Sequence, residues 1–441
     1  MSGISSNQSN LNNQHPESKN PVHQSNEKSG NLRIAAARMP LLQTLRDDLD
    51  VLEAQHLIRR RRTVETPCAP NVRADGKDYV AFCSNDYLGL AAHPLVTQAL
   101  QKGVSLYGAG SGASHLISGH SRAHANLEQK LAEFMAPNID QARALYFCTG
   151  YMANQAVITA LAGKDAAVFS EELNHASLID GVRLSRAATQ VFAHRDYAAL
   201  ETMLKNCTSK KRIVVTDSVF SMDGNIADIP ALLALCEQYD AWLIVDDAHG
   251  FGVLGEHGRG VFEHFHLRSP NLVYMGTLGK AAGVGGAFVA AHETVIEWLI
   301  QKARAYIFTT AAAPALAHAL LTSIDIIAGE EGRQRRAHLN KLIQMFRHGQ
   351  DLKVWQGMPS DTAIQPVVIG KNDAMLAVAG NLLDQGYWVG AIRPPTVPLD
   401  TARLRVTLSA AHTEVQVLQL VQAINRLDQM HYVAQCFAEV A

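Results

Sequence analysis

The sequence predicts an α/β protein: a large domain built on a mostly parallel sheet with helices on both faces, followed by a smaller α/β domain. Three observations carry that reading. Short apolar runs rich in valine and isoleucine recur through the middle of the chain ("ALYFC", "AAVFS", "TQVFAH", "RIVVT", "AWLIV", "LVYM", "GAFVAA"), with helical stretches between several of them; this is how strands buried on both faces read. After about residue 325 a second rhythm begins, with "AIQPVVIG", a helix over roughly 373–385, "GYWVGAIR", "ARLRVTL" and a closing helix that Thr413 can cap. At 441 residues and 47% hydrophobic content, the chain is long enough for a large core and more than one domain.

In chain order, "MSGISSNQSNLNNQHPESKNPVHQSNEKSGN" has neither the apolar stretch of a secretory signal nor an arginine-rich amphipathic pattern, and reads as a disordered polar tail over 1–40. An N-terminal arm over 41–85 combines "LLQTLRDDLDVLEAQHLIRRRR", with leucines at helical spacing, and "VRADGKDYVAF", a hairpin turning at Asp75 and Gly76. The large domain is expected over 86–325 and the small domain over 326–441. Within the former, "IFTTAAAPALAHALLTSI" (307–324) is diluted by Pro314, His318 and threonines, and predicts a buried helix in place of a membrane span.

A net charge of -2 and a pI near 6.8 give no broad basic field for nucleic acid or anionic lipid, so a small-molecule partner is expected. The six cysteines (Cys68, Cys83, Cys148, Cys207, Cys236, Cys436) form no CxxC pair, which fits a reducing cytoplasm.

Ligands of open parallel sheets bind beyond the carboxyl ends of the strands. Five such ends run into "TGYMANQAVITAL", "EELNHAS", "DSVFSMDG", "DDAHGFG" and "GTLGKAAGVGG", and these are expected to converge on one crevice. Three chemistries compete for it. A phosphate-binding P-loop needs a glycine and a Ser or Thr where Tyr274 and Ala281 stand. A metal hydrolase on Asp246, Asp247 and His249 would have to recruit His175 from another loop; no metal is expected. Pyridoxal 5'-phosphate (PLP) asks for an amine (Lys280), a carboxylate for its ring nitrogen (Asp246), a contact for the ring oxygen (His249), a stacking ring (His175) and a phosphate pocket at a helix start (Gly150, Tyr151) with the hydroxyls of Ser221 and Thr277. Asp247 points to the opposite side of the strand and reads as structural. Taken singly, Gly150 serves equally as a turn glycine, Ser221 as a turn hydroxyl and His175 as a buried histidine; the convergence of five suitable loops favours PLP.

The motifs "SNDYLGL", "GSGASHLISG", "HANLE", "NHASLIDG", "VFSMDG", "VDDAHGFGVLGEHGRG" and "GTLGK" resemble the α-oxoamine synthase family over roughly 45–428. The resemblance implies a PLP enzyme of fold type I, with a seven-stranded sheet, that joins an amino acid to an acyl thioester. It implies a Schiff base on Lys280, the ring-nitrogen partner on Asp246, the ring-oxygen contact on His249 and stacking by His175, which also aids catalysis. Gly150, Tyr151, Ser221 and Thr277 match its phosphate and ring contacts, Arg405 its amino-acid carboxylate site, and Asn85, Thr396 and Arg59 its substrate contacts. "AIRPPTVPLDTARLRVTLSAAH" resembles the branch using L-alanine and a pimeloyl thioester, on CoA or acyl carrier protein, for biotin assembly. Branches taking glycine with acetyl-CoA, glycine with succinyl-CoA or serine with palmitoyl-CoA use the same central residues. A homodimer is implied, with Thr310 reaching the neighbouring subunit's phosphate; here the chain departs from the pattern, having Phe308 in "IFTTAAAPA" where relatives carry tyrosine.

Overall fold

The structure, a computed structural model, describes residues 40–440, with side chains described to residue 434. The polar tail expected over 1–40 therefore lies, up to residue 39, outside the described residues. The chain divides into two compact units, Met1–Ile58 and Arg59–Ala441. In the first, the leucine spacing forms the helix Pro40–Ala54, none of whose residues is buried.

In the second unit the seven apolar runs of the middle chain become seven strands: β3 (Ala142–Phe147), β4 (Ala166–Glu171), β5 (Ala188–Phe192), β6 (Lys211–Asp217), β7 (Ala241–Asp246), β8 (Leu272–Thr277) and β9 (Ala287–His292). They form one sheet in the order β3-β9-β8-β7-β6-β4-β5. All neighbours are parallel except β9, which runs antiparallel to both β3 and β8. The loop 278–286 between β8 and β9 is too short for the helical crossover that a parallel return needs.

Alternate residues of the central strands enter different apolar layers. Val214, Leu243, Val245, Leu272 and Tyr274 join one cluster, while Ile213, Val215, Ile244, Val273 and Met275 join the other. A period of two with both faces apolar is what a sheet covered on both sides requires, and each fully buried aliphatic side chain contributes about 1.5–3 kcal/mol.

The second sheet has the order β1-β2-β12-β13-β11-β10. Its strands are β1 (Asn71–Ala74), β2 (Lys77–Phe82), β10 (Gln356–Gly357), β11 (Ile364–Gly370), β12 (Tyr387–Ile392) and β13 (Ala402–Thr407). The hairpin of the N-terminal arm, turning at Asp75 (φ 49°) and Gly76 (φ 76°), is thus part of the C-terminal sheet. Its β2 pairs in parallel with β12, and His412 stacks on Phe82 at 4.3 Å while its Nε2 donates to the Ala81 carbonyl at 3.0 Å. The closing helix Glu414–Val440 is capped as expected: Thr413 Oγ1 accepts from the Gln416 amide at 3.2 Å, and Gln416 Oε1 takes the Thr413 amide at 2.9 Å.

One element differs in extent. The helix expected over 307–324 starts only at Pro314 and runs to Ala328. The residue before a proline is excluded from the helical region, and Ala313 sits at ψ 127°. The preceding segment instead bridges Thr310 to Ser114. The helix itself is buried along Ala315, Ala317, Ala319, Leu320 and Ile324, and among the described residues no helix is long and apolar enough to cross a membrane.

Candidate active site

The carboxyl ends of β6, β7 and β8 open on a cavity of about 200 Å³ lined by Gly150, Tyr151, His175, Ser177, Asp217, Asp246, Ala248, His249, Met275, Thr277 and Lys280. The glycine-rich loop brings Lys280 there because its backbone packs where a side chain cannot: at Gly283 (φ 70°), a Cβ would stand 2.4 Å from the Ala91 nitrogen. Burial pulls the Lys280 amine down to about 8, although Asp246 and Asp217 favour its charged form. It donates to His249 Nε2 at 2.9 Å.

A hydrogen-bonded chain fixes that histidine. The Tyr87 hydroxyl donates to Asn85 Oδ1 at 3.2 Å, so its contact with His249 Nδ1 at 2.5 Å is one in which the ring nitrogen donates. His249 is held neutral by burial first and by the Lys280 and Arg405 charges next, its pKa lying well below the usual histidine value. Its Nε2 lone pair therefore faces the lysine. At the far end Arg405 NH1 donates to the same Asn85 oxygen at 3.2 Å and to Thr407 Oγ1 at 2.9 Å, and its Nε donates to the Ser221 carbonyl at 2.6 Å. A further Arg405 side-chain hydrogen bond reaches Tyr87.

Asp246, the last residue of β7, accepts from Asn154 Nδ2 at 2.7 Å and from the Ala248 amide at 2.9 Å. The same Asn154 nitrogen donates to Ser177 Oγ at 2.9 Å. Ser177 Oγ lies 2.7 Å from His175 Nδ1, and the Ser177 amide donates to that nitrogen at 3.2 Å. His175 Nδ1 is thereby an acceptor, which leaves the ring proton on Nε2; burial lowers its pKa and keeps it neutral. Beside Asp246 in strand register stands Asp217, whose Oδ2 accepts the His175 amide at 2.6 Å. Burial, and then the neighbouring Asp246 charge, push Asp217 well above the usual carboxyl range. Asp247 turns away as expected: Tyr274 donates to it at 2.7 Å, the Val261 amide at 2.8 Å, and Ser218 also binds it.

Gly150 and Tyr151 open the helix Gly150–Leu161, where the Thr149 side chain already takes the Met152 amide. The two preceding amides are left at the positive end of the helix. A methyl on Gly150 would stand 3.8 Å from Thr277 Oγ1, among the residues that line the cavity. The Tyr151 hydroxyl donates to Asp180, and Thr277 Oγ1 to the Gly286 carbonyl at 3.2 Å.

The structure thus gathers Lys280, Asp246, His249, His175, Gly150, Tyr151 and Thr277 on one cavity. Ser221, Asn85 and Arg405 lie off its wall, joined to it through Tyr87 and His249. Thr310 is exposed on the Ser114 bridge. Arg59 and Thr396 are exposed too, and both neighbour Arg393: the Arg59 charge adds to burial in lowering its pKa, and its carbonyl takes the Thr396 amide at 3.1 Å. Tyr87, Asn154, Ser177 and Asp217 escaped the sequence reading. Tyr87 and Asp217 sit within or beside the motifs "SNDYLGL" and "VFSMDG", and Asn154 lies one helical turn beyond Gly150.

These residues fit PLP: an amine of lowered pKa, a hydrogen-bonded carboxylate, a neutral histidine with its Nε2–H available and an anion site at a helix start share one small cavity. The neutral amine is the nucleophile, so the rate at which apoprotein takes up PLP is expected to climb with pH and level off above about 8. A stopped-flow pH series measures this; a rate still climbing towards the ordinary lysine value of 10.5 would contradict the lowered pKa.

Fold and cavity together define a PLP-dependent transferase of fold type I. The family model "Aminotransferase class I and II" matches residues 77–424. An 8-amino-7-oxononanoate synthase of Janthinobacterium sp. (strain Marseille) is 67% identical over 389 residues, covering 88% of this chain and 99% of the relative. One from Bordetella petrii is 64% identical over 390 residues, covering 88% and 98%. Among solved structures, a serine palmitoyltransferase with PLP superposes with a TM-score of 0.81 at 27% identity, covering 89% of this chain and 98% of that one. The chain belongs to the 8-amino-7-oxononanoate synthase family, within the class I and II aminotransferases.

Proposed function

We infer that this protein condenses L-alanine with a pimeloyl thioester, on CoA or acyl carrier protein, releasing carbon dioxide and the free thiol carrier and forming 8-amino-7-oxononanoate for biotin synthesis. The observation that carries the reading is the name shared by curated relatives 57–67% identical along most of their length. PLP, when bound, supplies an aldehyde for the amino group and a ring that accepts the electron pair of a breaking bond.

The side chains divide the remaining work. Lys280 would hold the cofactor's aldehyde and is the amine placed to take the Cα proton. Asp246, kept in place by Asn154 and the Ala248 amide, holds the ring nitrogen protonated. His249 presents its lone pair at the lysine, and the Tyr87–Asn85 chain behind it prevents the ring from turning. His175 would cover one face of the ring, and its Nε2–H is available to the oxygen that gains charge as the thioester carbonyl is attacked. The amides of Gly150 and Tyr151, with Thr277, would take the phosphate, while Ser221 holds Arg405 through its carbonyl. Arg405 binds the alanine carboxylate, while Asn85, Thr396 and Arg59 face the substrates. Bond changes balance: a Cα–H proton goes to Lys280, Cα bonds the acyl carbon, the thiolate leaves, the Cα–carboxylate bond breaks and a proton returns to Cα. In a homodimer, Thr310 would complete the neighbouring subunit's phosphate site.

Arg405→Lys is expected to raise the KM for alanine about tenfold or more, with a smaller change in kcat, because an ammonium cannot hold Asn85, Thr407 and Ser221 while binding a carboxylate. Steady-state kinetics with alanine varied reads the split. Thiol release with alanine, glycine and serine against pimeloyl-, acetyl-, succinyl- and palmitoyl-CoA tests the function itself. Preference for alanine with pimeloyl-CoA is expected; preference for glycine with acetyl-CoA would overturn the assignment.

A further inference from the structure

Outside the cofactor cavity three imidazoles converge. His115 opens the short π-helix His115–Gly119, His120 follows it, and His124 lies in the helix Arg122–Met135. One ring nitrogen of each lies within 4.8 Å of the other two, the only such grouping of histidine, cysteine or acidic side chains among the described residues. His115 Nδ1 and His120 Nδ1 are 3.1 Å apart.

The outward side of one ring is already anchored, and that of a second faces a carboxyl group. His124 Nε2 donates to the Ala312 carbonyl at 2.9 Å, and His120 Nε2 stands 3.7 Å from Glu128 Oε2. Metal-bound histidines are oriented in this way, their second nitrogen tied to a carbonyl or carboxylate so that the first keeps its lone pair. The third ring, His115, is stacked on Tyr306 at 4.5 Å and 10°, which sets its plane. His115 and His124 are buried while His120 is exposed, giving a cation a way in.

We propose that His115, His120 and His124 form a binding site for a divalent cation of the zinc class. Imidazole nitrogens suit zinc, and with bonds of about 2.0–2.1 Å two ligands on a tetrahedral ion stand about 3.4 Å apart, close to the His115–His120 separation. His124 Nδ1 now takes the Ser121 amide at 3.0 Å and lies 3.1 Å from the Ser121 hydroxyl, and binding exchanges these contacts for a coordinate bond. Water takes the fourth position on the exposed side. A bound ion would clamp the turn at Ser114, whose backbone bridges Thr310, to the helix carrying His124.

The test is isothermal titration of the PLP-loaded protein with zinc chloride. One saturable site per chain is expected, absent in His120→Ala and in His115→Ala, and weakened about tenfold in Glu128→Gln, which keeps the ligands but alters the group that orients one of them. Cobalt(II) in place of zinc should give a visible absorption band in the unaltered protein that His120→Ala lacks. Circular dichroism checks folding, and His120→Ala, at an exposed ring, keeps the test decisive if His115→Ala fails to fold. Zinc or cobalt binding that is the same in the unaltered protein and His120→Ala, or no saturable site in the unaltered protein, would overturn the proposal.

Discussion

Replacing Lys280 by alanine is expected to leave a folded protein whose turnover is reduced by about 10⁴-fold or more. One side chain is asked to provide both the covalent hold on the cofactor and the base for the Cα proton, and a positioned base alone contributes about 10²–10⁴-fold. Folding should survive, because removing an amine that burial has already drawn down to about 8 relieves the cost of a desolvated cation. The helix-start amides and Asp246 remain, so PLP still binds. Borohydride reduction followed by mass spectrometry separates the roles: the unaltered protein should gain the cofactor's mass on the peptide containing Lys280, and the variant should gain none. Turnover within about tenfold of the unaltered protein would remove Lys280 from the reaction.

The second large effect is expected at Asp246. Asp246→Asn removes the charge facing a protonated ring nitrogen, and breaking a buried ion pair costs about 3–5 kcal/mol, or about 10²- to 10⁴-fold in rate. Retention of PLP through desalting should fall as well. Asp217 provides the control. It stands beside Asp246 in the sheet, but burial and that neighbour push its carboxyl well above the usual range, which favours its neutral form. The known task of Asp217 is to accept the His175 amide, which an amide oxygen also does. Asp217→Asn is therefore expected to stay within about tenfold of the unaltered protein. Kinetics and PLP absorbance on both variants, with the larger loss at Asp217, would reverse the assignment.

The parts of the fold that follow from local chemistry were legible in the sequence. All seven apolar runs became strands of one sheet, since alternating residues that are apolar on both faces have no other stable setting. The Asp75–Gly76 turn and the Thr413 cap were readable because each depends on a few adjacent residues. The cavity residues were legible where they follow directly from a strand end, as Asp246 and Lys280 do. What escaped depends on long-range closure. Nothing near Tyr87 announces that its hydroxyl reaches His249, and Asn154 becomes the support of Asp246 only when the helix Gly150–Leu161 packs on β8 and β9 and brings its side chain to the end of β7. The 307–324 stretch was read too long because its alanines favour helix, while the Thr310 bridge to Ser114 and the constraint of Pro314 prevail over that preference.

Strand β2 meets its parallel partner β12 only when the chain has reached Tyr387. During synthesis, the hairpin Asn71–Phe82 must wait with the edge of Val80 and Phe82 unmatched until nearly the whole polypeptide has left the ribosome. Late pairing between distant segments is slow, and an unpaired edge invites other chains to add to it. For this protein the vulnerable interval in the cell is therefore the period of translation, and a chain halted before residue 387 is left with an adhesive amino-terminal end.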